Sequence, residues 1–274
     1  FGAKFASEAS RAPHLRAPLI DEAEVGTLAE LAPRDPAEGV DAYAYPHNET
    51  STGVVSPVYR VDAPGALTLV DGTSIAGAAP VDLSQVDAYY FSLQKALGSD
   101  GGLWVAILSP AAVERARRIE SSPAGRWVPQ FLSLCAAIDN SRKDQTLNTP
   151  ALATIVMAQR QVAWLNERGG MAAASAHCAR ASSLVYDWAN AHPALSPFVA
   201  NAQWRSPVTA TVEINADVSA ADLASHLRAH GVVDIGAYRG VGANQLRIGT
   251  WPSVEIGDIE ALLACIDWCL ERVL

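Results

Sequence analysis

The feature that most constrains this chain is a series of short apolar runs, each closing on a polar cluster. Val40 to Tyr45 gives way to Pro46-His47-Asn48-Glu49-Thr50. Ala66 to Val70 ends on Asp71 and enters Gly72-Thr73-Ser74. Ala88 to Ser92 ends in Leu93-Gln94-Lys95. These runs are short and mostly apolar, interrupted only by Asp41, Thr68 and Ser92. They predict parallel strands of an α/β sheet covered on both sides, with the chemistry at the C-terminal strand ends. A fourth run, Leu103 to Leu108, follows the third after only residues 93–102, with a sharp Gly101-Gly102 turn. That is too short for most helical crossovers, so this strand is expected to be antiparallel.

Helices are predicted over Phe1–Arg11, Pro110–Glu120, Ala151–Glu167 and, past the Gly169-Gly170 stop, Met171–Ala191. Residues 21–39, rich in Asp, Glu and Pro, read as a surface excursion. The remainder alternates strand (Thr209–Ile214), helix (Ser219–His230), strand (Gln245–Gly249) and helix (Glu255–Val273). Ser219 is placed to cap its helix, and Ile259, Leu262, Leu263, Ile266, Cys269 and Val273 form one apolar stripe on the last. The expected organisation is a large α/β domain over residues 1–170 and a smaller α+β domain over 171–274.

Composition excludes several classes of function. With 50% hydrophobic and 18% charged residues over 274, the chain can bury a large core. A net charge of −9 without a basic stripe disfavours nucleic acid and anionic membranes, and no apolar run is long enough to span a bilayer. Cys135, Cys178, Cys265 and Cys269 are scattered, as expected of buried thiols in a reducing cytoplasm rather than a disulfide framework or a metal site. The chain has 17 arginines and only three lysines, Lys4, Lys95 and Lys143, so each lysine deserves separate scrutiny.

Lys95, at a strand end beside Gln94, is either a surface lysine or a Schiff-base lysine, whose amine needs burial or a neighbouring cation to lose its proton. Asp71, at the neighbouring strand end, is either a turn former or the carboxylate that keeps a pyridine nitrogen protonated. Asn148-Thr149-Pro150 reads as a helix N-cap and as a place where phosphate could bind. Arg247, between Leu246 and Ile248, is placed to bind an anion, with Arg239 nearby. The Gly240/Gly242 pair lacks the third glycine of a dinucleotide fingerprint and precedes a strand. His47 lies near these residues but is weak evidence alone.

Four ordered motifs carry a resemblance over essentially the whole chain. They are His47-Asn48-Glu49-Thr50 with Asp71-Gly72-Thr73-Ser74; Asp87 through Lys95 into Gly98-Ser99-Asp100-Gly101-Gly102-Leu103-Trp104; Asn148-Thr149-Pro150-Ala151; and Tyr238-Arg239 with Asn244-Gln245-Leu246-Arg247. In that order they resemble the phosphoserine aminotransferases of the actinobacterial type, within the fold-type I pyridoxal-phosphate enzymes. The resemblance implies a mostly parallel large-domain sheet with a small C-terminal domain, pyridoxal 5'-phosphate as cofactor, and a cytoplasmic homodimer with sites at the subunit interface.

Carried over residue by residue, it makes Lys95 the amine that bears the cofactor and shuttles the proton. Asp71 pairs with the pyridine nitrogen, Thr50 lies near the phenolic oxygen and Phe1 stacks on the ring. Gln94 contacts the phosphate, and Asn148 and Thr149 reach the phosphate of the other subunit's cofactor. Arg247 clamps the substrate's α-carboxylate. Arg239 and Tyr238, the latter standing where many members have His, face the substrate's distal anionic group. The implied reaction converts glutamate and 3-phosphooxypyruvate to 2-oxoglutarate and O-phospho-L-serine, in serine biosynthesis, with pyridoxine biosynthesis as a second route the resemblance leaves open. The alternatives are a serine- or alanine-glyoxylate aminotransferase, a cysteine desulfurase (disfavoured by Gln94 in place of His), or an inactive remnant. Members of that family are longer, and their opening strands have no counterpart here, so one sheet edge is expected to be bare.

Overall fold

The computed structural model describes all residues except 123–125, 216, 239–240, 242–243 and 273–274. After helix α1 (Gly2–Arg11) the chain runs through the acidic excursion into β1 (Ala42–Pro46) and a small antiparallel hairpin, β2 (Asn48–Glu49) and β3 (Val54–Val55). Strands β4 (Leu67–Asp71), β5 (Ala88–Ser92) and β6 (Trp104–Leu108) follow, then α2 (Pro110–Glu120), α3 (Leu134–Ser141) and α4 (Leu152–Glu167). Beyond them lie α5 (Gly170–Ala191), β7 (Leu195–Pro197), β8 (Thr209–Ile214), α6 (Ala220–Ala229), β9 (Gln245–Gly249) and α7 (Ile256–Arg272).

The first sheet has the order β1-β4-β5-β6. The pairs β1–β4 and β4–β5 are parallel, whereas β6 returns antiparallel with Ser92 opposite Trp104, as the short loop requires. Pro46, Asp71 and Tyr90 lie side by side in the ladder. The three polar clusters that follow these strands therefore share one sheet edge. Their other ends are tied together by Asp87, 3% exposed, which accepts from Arg60 Nη1 (2.6 Å), Thr68 N (2.9 Å) and Ser109 Oγ (2.8 Å). Ser109 also caps α2 ahead of Pro110, which explains the sharp start of that helix. At β6, Trp104, Val105 and Ile107 are exposed.

The second sheet is antiparallel, β7-β8-β9. One apolar core unites it with α5, α6 and α7 through Val185, Val212, Leu223, Leu246, Ile259 and Ile266. Ser219 caps α6, its side chain accepting from Asp222 N. Ile259, Leu263, Ile266 and Cys269 are the buried stripe of α7, with Leu262 half-buried against the same core; Val273 lies outside the described residues. Ile75, Ala78, Ala96, Cys178 and Val208 form a smaller cluster that joins the loops after β4 and β5 to α5 and the entry of β8.

Three expectations are corrected. Residues 46–50 are not a simple turn, because Asn48–Glu49 pairs with Val54–Val55. Asn148 and Thr149 do not cap α4: the N-cap is Ala151, which offers no side-chain acceptor, and the helix begins one residue later. Helix α3 and strand β7 were unforeseen; α3 is only eight residues long and β7 three, and β7 is defined by its pairing with β8.

Candidate active site

Asp71 ends β4, and its Oδ1 accepts from Thr73 N at 2.8 Å, an Asx turn that fixes the carboxylate at the strand tip. Oδ2 has no hydrogen-bond partner among the described residues. Gly72 is demanded by the packing below it: a Cβ there would lie 2.2 to 2.6 Å from the ring and hydroxyl of Tyr89. Tyr89 in turn meets His47, Nδ1 to hydroxyl 3.0 Å, with both side chains buried. Burial pushes the His47 imidazole down to about 4, so it is neutral under the turn at physiological pH. Burial first, and the Asp71 carboxylate second, push the phenols of Tyr89 and Tyr90 up, so both keep their protons.

Lys95 follows the neighbouring strand and is half-buried. Burial and, secondarily, the Arg247 guanidinium hold its ammonium pKa below the usual lysine value. Its Nζ forms no ion pair among the described residues; it lies 5.8 Å from the centre of the Trp251 ring. Gln94 beside it is exposed.

Arg247 comes from the other sheet, on β9 opposite Thr211 of β8. It is half-buried and has no carboxylate within 4 Å among the described residues. Its Nη1 reaches Thr50 O at 3.4 Å, and its guanidinium lies 5.1 Å from the Tyr238 ring centre. Phe1 packs on the other side of Tyr238, at 5.6 Å between centroids. The turn carrying Thr50 is seated on β8: Thr211 Oγ1 donates to Thr52 O (2.8 Å), and Ser206 N donates to Gly53 O (2.9 Å). Gly53 has φ +74°, and a Cβ there would stand 2.8 Å from Thr209 O, so only glycine fits.

One region therefore gathers most of the residues expected from the sequence. Asp71 and Lys95 sit at adjacent parallel strand ends, while Phe1, Thr50, Tyr238 and Arg247 form a contiguous group whose guanidinium is near enough to Lys95 to lower its pKa. Asn148 and Thr149 are not brought into it; they lie exposed in the loop before α4, lining an open hollow with Gln145, Thr146 and Ile155. Arg239 and the Gly240/Gly242 pair lie outside the described residues. Sequence reasoning missed the His47–Tyr89 support, the Gly53 seat and Trp251. The glycine after Asp71 and the glycine closing Thr50-Ser51-Thr52 were the available signals for the first two.

The donor set suits pyridoxal phosphate: a primary amine for its aldehyde, a carboxylate with an open oxygen for its ring nitrogen, and a guanidinium with no carboxylate partner among the described residues for a substrate carboxylate. Asn48 Oδ1, buried and without a partner among the described residues, adds an open acceptor beside Ser74.

The pattern of the aminotransferase class-V family matches residues 15–237. A relative from Mycolicibacterium vanbaalenii, provisionally named a phosphoserine aminotransferase, is 50% identical over all 274 residues, and the chain spans 72% of its length. Among solved structures, a phosphoserine aminotransferase from Cytophaga hutchinsonii superposes with a TM-score of 0.85 at 20% identity, covering 99% of this chain and 74% of that one. A phosphoserine aminotransferase from Trichomonas vaginalis, solved with pyridoxal phosphate bound, gives 0.78 at 20% identity over 97% of this chain and 72% of that one.

Proposed function

The chain belongs to the aminotransferase class-V family and is a transaminase; from that premise we propose that it converts glutamate and 3-phosphooxypyruvate to 2-oxoglutarate and O-phospho-L-serine with pyridoxal 5'-phosphate as cofactor. The observation that carries this is the juxtaposition of Asp71 and Lys95 at neighbouring parallel strand ends, with Arg247 close enough to lower the Lys95 pKa and without a carboxylate partner among the described residues. The names of the relative and of the two structural neighbours, one with the cofactor bound, support the same choice.

When bound, pyridoxal phosphate supplies an aldehyde and an electron-withdrawing ring that stabilises negative charge at the substrate's α carbon. The chain supplies the rest. Asp71, held by Thr73 N, holds positive charge at the ring nitrogen. Lys95 would hold the cofactor through Nζ and, as a free amine, would take and return the substrate's α proton there. Burial and Arg247 favour the neutral amine that both tasks need. Arg247 grips the α-carboxylate with two parallel hydrogen bonds, and its own burial strengthens that grip by excluding water. Tyr238 and Arg239 serve the distal anionic group, Phe1 covers the ring face, Thr50 serves its oxygen and Gln94 its phosphate. Asn148 and Thr149, exposed and apart from the cluster, serve the cofactor of a second subunit in a homodimer. No helix among the described residues is long and apolar enough to cross a membrane. Four free cysteines suit a cytoplasmic enzyme.

A substrate panel with glutamate as donor tests the assignment. Preference for 3-phosphooxypyruvate is expected; preference for glyoxylate overturns it. Arg247→Lys loses the bidentate fork, and kcat/KM for glutamate should fall about tenfold or more.

A further inference from the structure

Trp251 has no part in the chemistry above, yet it touches all three segments that perform it. It lies two residues beyond β9 and four beyond Arg247. Its Nε1–H donates to Ser74 O at 2.9 Å, three residues past Asp71. Its six-membered ring presses on Gly249, where a Cβ would stand 2.5 Å away. It also packs on the buried cluster that includes Ile75 and Ala96, the latter next to Lys95. The indole is thus fixed by a hydrogen bond, a backbone contact and a core. The Lys95 ammonium lies 5.8 Å from its ring centre, within the range of about 6 Å in which an aromatic face attracts a cation.

We infer that Trp251 is a positioning residue for Lys95, its ring face giving the free ε-ammonium a defined resting place at the end of β5. This rests on the assignment of Lys95 as the cofactor-bearing amine and adds a residue that assignment does not use. A free lysine has wide rotamer freedom, and here no carboxylate among the described residues holds it, while the Arg247 guanidinium repels it. A carboxylate partner would fix the chain but bind the proton tightly, which would oppose the amine's work. An uncharged ring face fixes it at a much smaller cost in acidity. The hydrogen bond to Ser74 O and the contact with Gly249 keep that face at one height relative to Asp71 and Arg247.

The scarcity of lysine makes the test direct. Reductive methylation with ¹³C-formaldehyde labels Lys4, Lys95, Lys143 and the chain's amino terminus, and each signal can be titrated by NMR on the full chain without cofactor. The comparison is Trp251→Phe against Trp251→Leu. Phe and Leu are both apolar and both lack the indole N–H, so the difference between the variants isolates the ring face. Lys95 is expected to titrate about half a pH unit lower in the Leu variant than in the Phe variant, with Lys4 and Lys143 alike in both. Equal Lys95 midpoints overturn the proposal. Wild type gives a second readout that needs no variant: nuclear Overhauser contacts from the Lys95 methyls to indole protons. Their absence also overturns it. Neither readout involves the cofactor, so failure of the cofactor assignment, seen as label on another lysine after cofactor trapping, remains a separate result.

Discussion

His47 should make this protein unstable to mild acid, in a pH window separate from that of its carboxylates. The imidazole is 5% exposed, bonded to the Tyr89 hydroxyl, and held near 4 in the folded state against 6.5 for a free histidine. Below 6.5 the unfolded chain binds a proton there that the folded chain refuses. The stability contributed is therefore complete above about 6.5 and lost as the pH falls toward 4. The gap is worth about 3 kcal/mol in full, of which about 2 kcal/mol disappears between about pH 7 and pH 5. Glu49 and Asp87 also have lowered pKa values, Glu49 through Ser51 and Gly2 N–H among its donors and Asp87 through Arg60, Thr68 and Ser109, each against an opposing burial effect. Their contributions begin to fall only as the pH drops through the ordinary carboxylate range, near 4, so most of the change between about pH 7 and pH 5 belongs to His47. Urea unfolding of wild type and His47→Gln at about pH 7, 6 and 5 isolates the effect. The variant starts lower, having lost its partner on Tyr89, but its stability should change less with pH by about 2 kcal/mol. Parallel pH dependences for the two proteins would refute the reasoning.

Two further perturbations test the supports of the site. Gly53→Ala forces a Cβ into a backbone with φ +74° and against Thr209 O and Thr211. It should cost about 2 kcal/mol or more in urea unfolding and weaken glutamate binding by displacing Thr50 from Arg247; an unchanged midpoint contradicts the seat described. Asp87→Ala strands the Arg60 guanidinium, Thr68 N–H and Ser109 hydroxyl together and should cost about 2 kcal/mol or more. Arg60→Ala should cost clearly less because the arginine side chain is 40% exposed. The reverse order in thermal or urea unfolding would show that Asp87 is not the tie between the strand ends.

The legible part of the fold was what local pattern controls. Apolar runs closing on Asp71 and on Gln94-Lys95 identified parallel strands and the edge where they end, and the short loop before Trp104 set the direction of β6. Pro110 marked the start of α2, and Ser219 that of α6. Features that depend on distant partners were not legible. Strand β7 exists because Val212 and Glu213 lie opposite it. The α4 start was misplaced because Asn148, a good capping residue by type, stands three positions too early, and Ala151 occupies the cap. His47 meets Tyr89 across 42 residues, and Trp251 meets Ser74 across 177. No spacing rule connects such pairs. Lys95 was picked out by the shortage of lysine and by its strand end, while its relation to Arg247 needed the second sheet.

The account stands on one amine. After incubation with pyridoxal 5'-phosphate, borohydride reduction fixes the bound cofactor to the group that carries it, and peptide mapping by mass spectrometry identifies that group. Stoichiometric label is expected on Lys95 and none on Lys4 or Lys143, with loss of label in Lys95→Ala. Label on either other lysine, or equal label in wild type and Lys95→Ala, would contradict it.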